Sequence, residues 1–267
     1  MLGVAVAAAL GYGWFEAGWL RRRVLEVELD GLARELDGLR IAHLSDLHLG
    51  VPSRGAAAVE KAVAWVVERK PDLVCLTGDL VSRRAGLPRL ERLLELLSPC
   101  LVVLGNHDFA ASRDPFSQRL EEADLELPEG VSLLVDAALE LELRGRRVQV
   151  VGVDPRTYTR GTANPARLAD ATAGFRILLC HFPGVVRRLP PGSYDLVLSG
   201  HLHAGQIVVP LPTRRLPLTH PKARHVEGIY RQDGLVLHVS PGIGTTFVPF
   251  RFFARPEVTE LVVRSKP

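Results

Sequence analysis

Along this chain, short runs of Val, Leu and Ile end abruptly in polar clusters rich in Asp, His, Asn or Gly. Residues 39–44 run into Ser45-Asp46-Leu47-His48, residues 72–76 into Thr77-Gly78-Asp79, and residues 101–104 into Gly105-Asn106-His107-Asp108. Farther on, residues 175–180 meet His181, and residues 195–198 meet Ser199-Gly200-His201-Leu202-His203. Two more runs, 148–153 and 235–239, end in Asp154 and in Ser240-Pro241-Gly242. Each run has strand length, and continuous apolar runs rather than strict alternation belong to strands buried on both faces.

Helical periodicity fills the gaps between the first three runs. Residues 56–69 place Val59, Val63, Val66 and Val67 on one face and stop at Lys70-Pro71, and residues 90–97 repeat the pattern before Pro99. The later half is richer in strands, with short runs near Leu133, Leu141, Val148, Leu235 and Leu261. This pattern predicts an α/β fold, a two-sheet β-sandwich flanked by helices. Polar residues at the carboxyl ends of such strands share one edge, where sites form.

The N-terminus follows another rule. Residues 1–20 are nearly all apolar, interrupted by Glu16 and followed at once by Arg21, Arg22 and Arg23. A secretory signal carries its charge before the apolar stretch, not after it. About 20 apolar residues just suffice to span a bilayer, and Trp14, Phe15 and Trp19 are of the kind that gather at its interface. Residues 1–23 are therefore expected to form a hydrophobic helix that spans the membrane or lies in its plane, and 24–267 a single domain. The basic flank would leave that domain in the cytoplasm.

Composition changes this picture little. With 47% hydrophobic residues in 267, the chain can bury a large core. The net charge of +3 is spread along the sequence and aromatics are 6%, whereas a nuclease calls for a basic track with stacking rings. Cys75, Cys100 and Cys180 form no CxxC pair and read as small buried hydrophobes.

Each polar cluster alone is weak, but in chain order they read DxH, GD, GNHD, H and GHxH. That series resembles the calcineurin-like metallophosphoesterase family, and the resemblance covers the chain from about Leu39 onward. Within the family, the stretches HLHAGQ (201–206) and SPGIGTT (240–246) and Arg255-Pro256-Glu257 are similar to a membrane-associated bacterial phosphodiesterase branch. Members of that branch more often read GHTHGGQ, so Leu202 and Ala204 depart from the pattern at positions that are not ligands.

Residue by residue, the resemblance implies a four-layer fold and two divalent metals. One would be held by Asp46, His48 and His203, the other by Asn106, His181 and His201, with Asp79 bridging. Carboxylate with imidazole suits Mn, Zn or Fe better than Mg. Paired metals, typically about 3.5–4 Å apart, can hold a bridging hydroxide as nucleophile and neutralise attacking and leaving oxygens. His107 would face the scissile phosphate as acid or charge stabiliser, and Asp108 would orient it. The position three residues after Asp79 is Ser82, which departs from the tyrosine ligand of the purple phosphatases.

Arg156 and Arg160, and Arg214 and Arg215 in a loop with His220, Lys222, Arg224 and His225, are candidates for substrate phosphate. His43 and His238 lie inside apolar runs and read as packed residues, while Phe109 and Phe116 could shape an entrance or join the core. The leading expectation is a metal-dependent phosphodiesterase or pyrophosphatase acting on a membrane-associated or lipid-linked substrate, such as a UDP-diacylglucosamine-type pyrophosphate. The alternatives are a nuclease or cyclic-nucleotide phosphodiesterase, and a non-catalytic metal-binding scaffold. The scaffold would be expected to have lost His107 or several ligands, all of which are present.

Overall fold

A computed structural model describes residues 1–109, 114, 117, 118, 125, 127–212, 214–219 and 221–266. Phe116 and His220 lie outside the described residues. The chain begins with α1 (Leu2–Glu16), followed by β1 (Arg21–Leu29), β2 (Arg40–Leu44), α2 (Gly55–Arg69), β3 (Leu73–Thr77), α3 (Leu87–Leu97), β4 (Cys100–Val103) and β5 (Val131–Leu133). The second half contributes β6 (Ala137–Leu143), β7 (Arg146–Gly152), α4 (Pro155–Arg160), β8 (Phe175–Leu179), β9 (Leu196–Ser199), β10 (Val208–Pro210), β11 (Arg215–Pro217), β12 (Gly228–Gln232), β13 (Leu235–Val239) and β14 (Glu257–Ser265).

Two six-stranded sheets result, ordered β1-β14-β2-β3-β4-β5 and β12-β13-β9-β8-β7-β6, with β10 and β11 forming a separate hairpin. Within them β2, β3, β4 and β5 run parallel, as do β7, β8, β9 and β13, so their carboxyl ends line up. The sheets pack face to face through Ile41, Cys75, Val103, Val150, Ile177, Leu198 and Leu261, all within one apolar cluster. The outer face of the first sheet is sealed by α2 and α3, whose buried stripes include Val59, Val63 and Val66, and Leu90, Leu93, Leu94 and Leu97. Val67, placed on the inner face by periodicity, is 43% exposed. The second sheet's outer cover consists of α4 and 3-10 turns rather than long helices.

All three cysteines are free and buried, as small hydrophobes. His43 and His238 face each other between the sheets, Nδ1 to Nδ1 at 2.7 Å, and His43 Nε2 lies 2.8 Å from Thr77 Oγ1. Burial holds both rings well below the ordinary imidazole range.

The N-terminal segment forms a helix of 15 residues, about 22 Å long at the usual rise. No helix among the described residues is long and apolar enough to cross a membrane. Strand β1 begins at Arg21, within the segment expected to be the anchor, and pairs in parallel with β14 along its whole length. Arg21 forms ion pairs with Glu227 and the buried Glu257, so the basic flank is partly built into the sheet.

Candidate metal centre

The carboxyl ends of β2, β3 and β4 in one sheet and of β8 and β9 in the other meet at one edge of the sandwich. Leaving each strand requires a sharp turn within one or two residues. Asp46, His48, Asp79, His201 and His203 all take left-handed backbone angles, with φ between 45° and 74°. Asp and His tolerate that region better than bulky or branched residues, and such strain gathers at functional sites. Close approach between strand ends depends on missing side chains. A Cβ on Gly105 would sit 2.2 Å from Asp79 Oδ1, and one on Gly200 would sit 2.2 Å from Asp46 Oδ2.

Two groups of donors converge there, Asp46, His48, Asp79 and His203 in one and Asp79, His181 and His201 in the other. In the first, His48 Nε2 is 3.0 Å from His203 Nε2 and 3.5 Å from Asp79 Oδ2, while His203 Nε2 is 3.2 Å from Asp46 Oδ1. In the second, His181 Nε2 is 3.2 Å from Asp79 Oδ2 and 3.1 Å from His201 Nδ1. Asp79 belongs to both.

The fit to metal can be tested on the donors themselves. Apposed imidazole nitrogens and carboxylates, buried from water, are costly to hold together without a cation. Among the described residues, the buried Asn106 Oδ1 has no hydrogen-bond partner, an acceptor left for such an ion. The outer nitrogens are already engaged, His181 Nδ1 donating to Thr77 O at 2.8 Å and His48 Nδ1 bonding Ser82 Oγ at 2.8 Å. That leaves their Nε2 atoms facing the cluster, the arrangement typical of ligating histidines. Ser82 is therefore a partner of His48, at the position where a tyrosine ligand was considered. Without metals, burial would lower His181, but Asp79's charge and hydrogen bond override it and raise the ring to about 9.

His107 sits beside this cluster, its ring centroid 4.8 Å from that of His48, and its backbone N–H donates to Asp79 Oδ1 at 2.8 Å. Asp108 does not orient it. The Asp108 carboxylate accepts from the backbone N–H groups of Leu80, Val81 and Gly105, tying two strand-end loops together. Burial and then Asp79's charge push Asp108 up to about 7 despite those donors. His107 Nδ1 instead meets Ser117 Oγ at 3.0 Å, and Ser117 in turn donates to the buried Asp114, which also accepts from Thr246. Adjacency in sequence suggested Asp108, but tertiary structure supplies Ser117 and Asp114, and no motif marked them.

Arg251 is a third residue without a sequence signal. It is fully buried and donates to the carbonyls of Gly244, Pro241 and Ala254, with Nη2 3.2 Å from His203 Nδ1. Burial lowers it to about 10. Glu16, at the end of α1, accepts from the backbone N–H groups of Phe253 and Ala254, so the N-terminal helix is clasped to the same loop. Of the arginines proposed for substrate phosphate, Arg156 is paired with Asp154 and lies 4.2 Å over the Phe109 ring. Arg215 is paired with Glu227, while Arg160 and Arg214 are exposed at the end of α4 and just before β11. Lys222 and Arg224 of the same loop, joined by Arg187, line the cavity that His201 borders.

The calcineurin-like phosphoesterase family model matches residues 39–205, more than half of the chain. The chain belongs to this family. It is therefore a metal-binding hydrolase of phosphoester bonds, and its buried Asp/His cluster fits the dinuclear divalent-metal site of such phosphoesterases. Among similar family members, the uncharacterized metallophosphoesterase YkoQ of Bacillus subtilis is 29% identical, covering 83% of this chain and 82% of its own. Phosphodiesterase YaeI of Escherichia coli is 28% identical over 97% of this chain and 94% of its own. The UDP-2,3-diacylglucosamine pyrophosphatase LpxG of Chlamydia trachomatis is 26% identical over 96% and 93%.

Proposed function

We propose that this protein is a phosphodiesterase or pyrophosphatase acting on a membrane-associated or lipid-linked substrate, with Asp46, His48 and His203 holding one metal and Asn106, His181 and His201 the other. Asp79 bridges them. The observation that carries the reading is the convergence of these residues, from five strand ends, on one buried edge. There His48, His181 and His203 present Nε2, His201 presents Nδ1, Asp46 and Asp79 present carboxylate oxygens, and Asn106 Oδ1 is buried without a hydrogen-bond partner among the described residues. Paired divalent cations supply an activated water and neutralise phosphoryl charge when bound.

The chain's own residues do the rest. Asp79 holds both halves of the cluster in register, and its Oδ1 accepts from His107 N–H, fixing where His107 begins. Ser117 donates to Asp114, so its oxygen accepts from His107 Nδ1–H. That fixes the tautomer and turns Nε2 toward the cleft, where it can pass a proton to the departing oxygen. The mixed carboxylate, imidazole and amide donor set favours Mn, Zn or Fe. Asn in place of a third carboxylate limits the negative charge that a phosphate must approach.

The membrane part of the reading rests on α1. Leu2, Val4, Val6, Leu10, Trp14 and Phe15 are exposed on α1, and the exposed Phe253 packs against Tyr12 of the same helix, so α1 presents many apolar side chains for a folded protein. Arg54 lies over Phe15 and Arg255 over Trp19, as cations do at a headgroup boundary. An in-plane helix, with the catalytic domain on the cytoplasmic side, suits a helix of this length. The relatives YaeI and LpxG, a phosphodiesterase and a pyrophosphatase, support the substrate class.

The test is metal-stripped protein reloaded with Mn, Zn, Fe or Mg and assayed on a bis-aryl phosphodiester and a phosphomonoester. Metal-dependent turnover is expected, falling about 100-fold or more in His107→Ala while both metals remain bound. Failure to bind two metals would overturn the ligand assignment, and undiminished turnover in the variant would remove His107 from the chemistry.

A further inference from the structure

A cavity of about 290 Å³ opens directly from His201 beside the cluster. Its floor is apolar. Phe182 packs its edge on His201 and His181, with centroids 4.7 and 5.1 Å away, and stacks on Tyr158 at 4.6 Å and 13°. Arg188 lies over Tyr158 at 4.3 Å. The rings of this floor are thus engaged with one another and are not set out as a platform for a base.

The rim is cationic. Arg187, Lys222 and Arg224 line the cavity together with His225, and no carboxylate is among its described lining residues. None of these three cations has an ion-pair partner among the described residues. Gly184 keeps the space open, since a Cβ there would come 2.8 Å from Tyr158 Oη and 3.3 Å from Arg187 Nη2. His225 carries the same signature. Burial first, and then the charges of Arg187 and Arg224, lower its ring below the ordinary range, as a field of uncompensated positive charge requires. Arg40 and Arg69 share Glu260 and Arg176 pairs with Asp195, whereas these three cations converge on one cavity at the mouth of the site, an arrangement that suits an anion.

Resting on the phosphoesterase reading above, we infer that this cavity is the subsite for a second phosphoryl group, so that the preferred substrate is a disubstituted diphosphate. One phosphorus lies at the Asp/His cluster and the other on Arg187, Lys222 and Arg224. Water adds to the first phosphorus and the bridging P–O bond breaks. The electron pair of that bond leaves with the second phosphoryl group, and two monophosphate esters result, the protons of water being shared between them. Holding the departing phosphate on three cations favours the diphosphate over a diester whose leaving group is an uncharged alcohol. The same chemistry is offered by a soluble and by a lipid-linked diphosphate, and the experiment separates the two.

The metal-loaded protein and an Arg187→Gln, Lys222→Gln, Arg224→Gln variant are compared on three substrates: bis(p-nitrophenyl) phosphate, a nucleoside-diphosphate sugar, and its diacylated counterpart in mixed micelles. The quantity read is the ratio of kcat/KM for each diphosphate to that for the diester, with metal content measured alongside. The variant is expected to lower that ratio roughly tenfold, the scale of one charge-assisted hydrogen bond. A wild-type preference for the diacylated substrate assigns the diphosphate to lipid, and preference for the soluble sugar assigns it to nucleotide metabolism. A ratio unchanged by the substitutions, or a wild-type ratio below one on both diphosphates, overturns the subsite. Calorimetric titration with a non-hydrolysable methylene-bridged diphosphonate diester separates this from failure of the parent reading. Tighter binding than a methylphosphonate monoester, lost in the variant, supports the subsite even without turnover; equal binding of the two refutes it.

Discussion

The two donor groups at the sandwich edge share Asp79 yet differ in their surroundings. Asp46, His48 and His203 are buried, and His48 and His203 are braced from behind by Ser82 and Arg251. The group of Asp79, His181 and His201 opens through a half-buried His201 onto a cavity. An enclosed set of ligands suits a metal that stays, and an open one suits a metal that exchanges ligands with substrate. The edge therefore has a closed side that fixes position and an open side that admits the ester.

The strongest way to break that comparison is to remove what the sides share. Asp79→Ala is expected to empty both metal positions and lower turnover on the order of 10^4-fold, a scale seen when an essential catalytic group is lost. Elemental analysis with the diester assay checks it; a variant that keeps one metal would mean the groups are independent. Next, Arg251→Ala strips a buried guanidinium from several carbonyls and from His203. It is expected to cost about 3 kcal/mol in urea unfolding, with metal lost from the enclosed side first. Then His203→Ala and His201→Ala are expected to differ. The first should lose the tighter metal, while the second keeps it and falls about 100-fold in turnover. Identical metal losses would erase the distinction.

The smallest expected effect is on pH. His181 is raised to about 9 in the metal-free protein, above its unfolded value of about 6.5. The folded chain thus holds a proton that the unfolded chain releases. The resulting stabilisation is complete below about pH 6.5 and is lost as pH rises through about 9. Metal occupying His181 must displace that proton, so its apparent affinity should rise over the same window. Urea unfolding at pH 6, 8 and 10, with and without chelator, should show the slope only in the stripped protein.

Much of this was legible because strand ends announce themselves. An apolar run stopping at Asp-x-His or Gly-Asn-His-Asp fixes both the strand and the residues at its carboxyl end, and β2, β3, β4, β8 and β9 formed where those runs lie. What was not legible depends on partners distant in sequence. Asp108 adjoins His107 in sequence, but its carboxylate turns to the amides at 80, 81 and 105. Asp114, Ser117 and Arg251 carry no motif, since their roles arise only when loops from both halves meet. The cationic trio was legible only in part, since the loop with Lys222 and Arg224 stood out as a candidate for substrate phosphate while Arg187 did not. Arg187 and Arg224 lie 37 positions apart, and only the folded 3-10 turn before β9 and the loop before β12 bring them to one rim.

The clasp between Glu16 and the amides of Phe253 and Ala254 has a mechanical meaning. A tether of loose residues would let the domain tumble over any surface to which the helix is bound. Here the last turn of α1 is bolted to the segment that carries Arg251, so helix and cleft form a single lever arm. Tilting one without the other would break two hydrogen bonds and strand a buried carboxylate. Were α1 held on a surface, the angle and reach of the cleft from that surface would be set during folding.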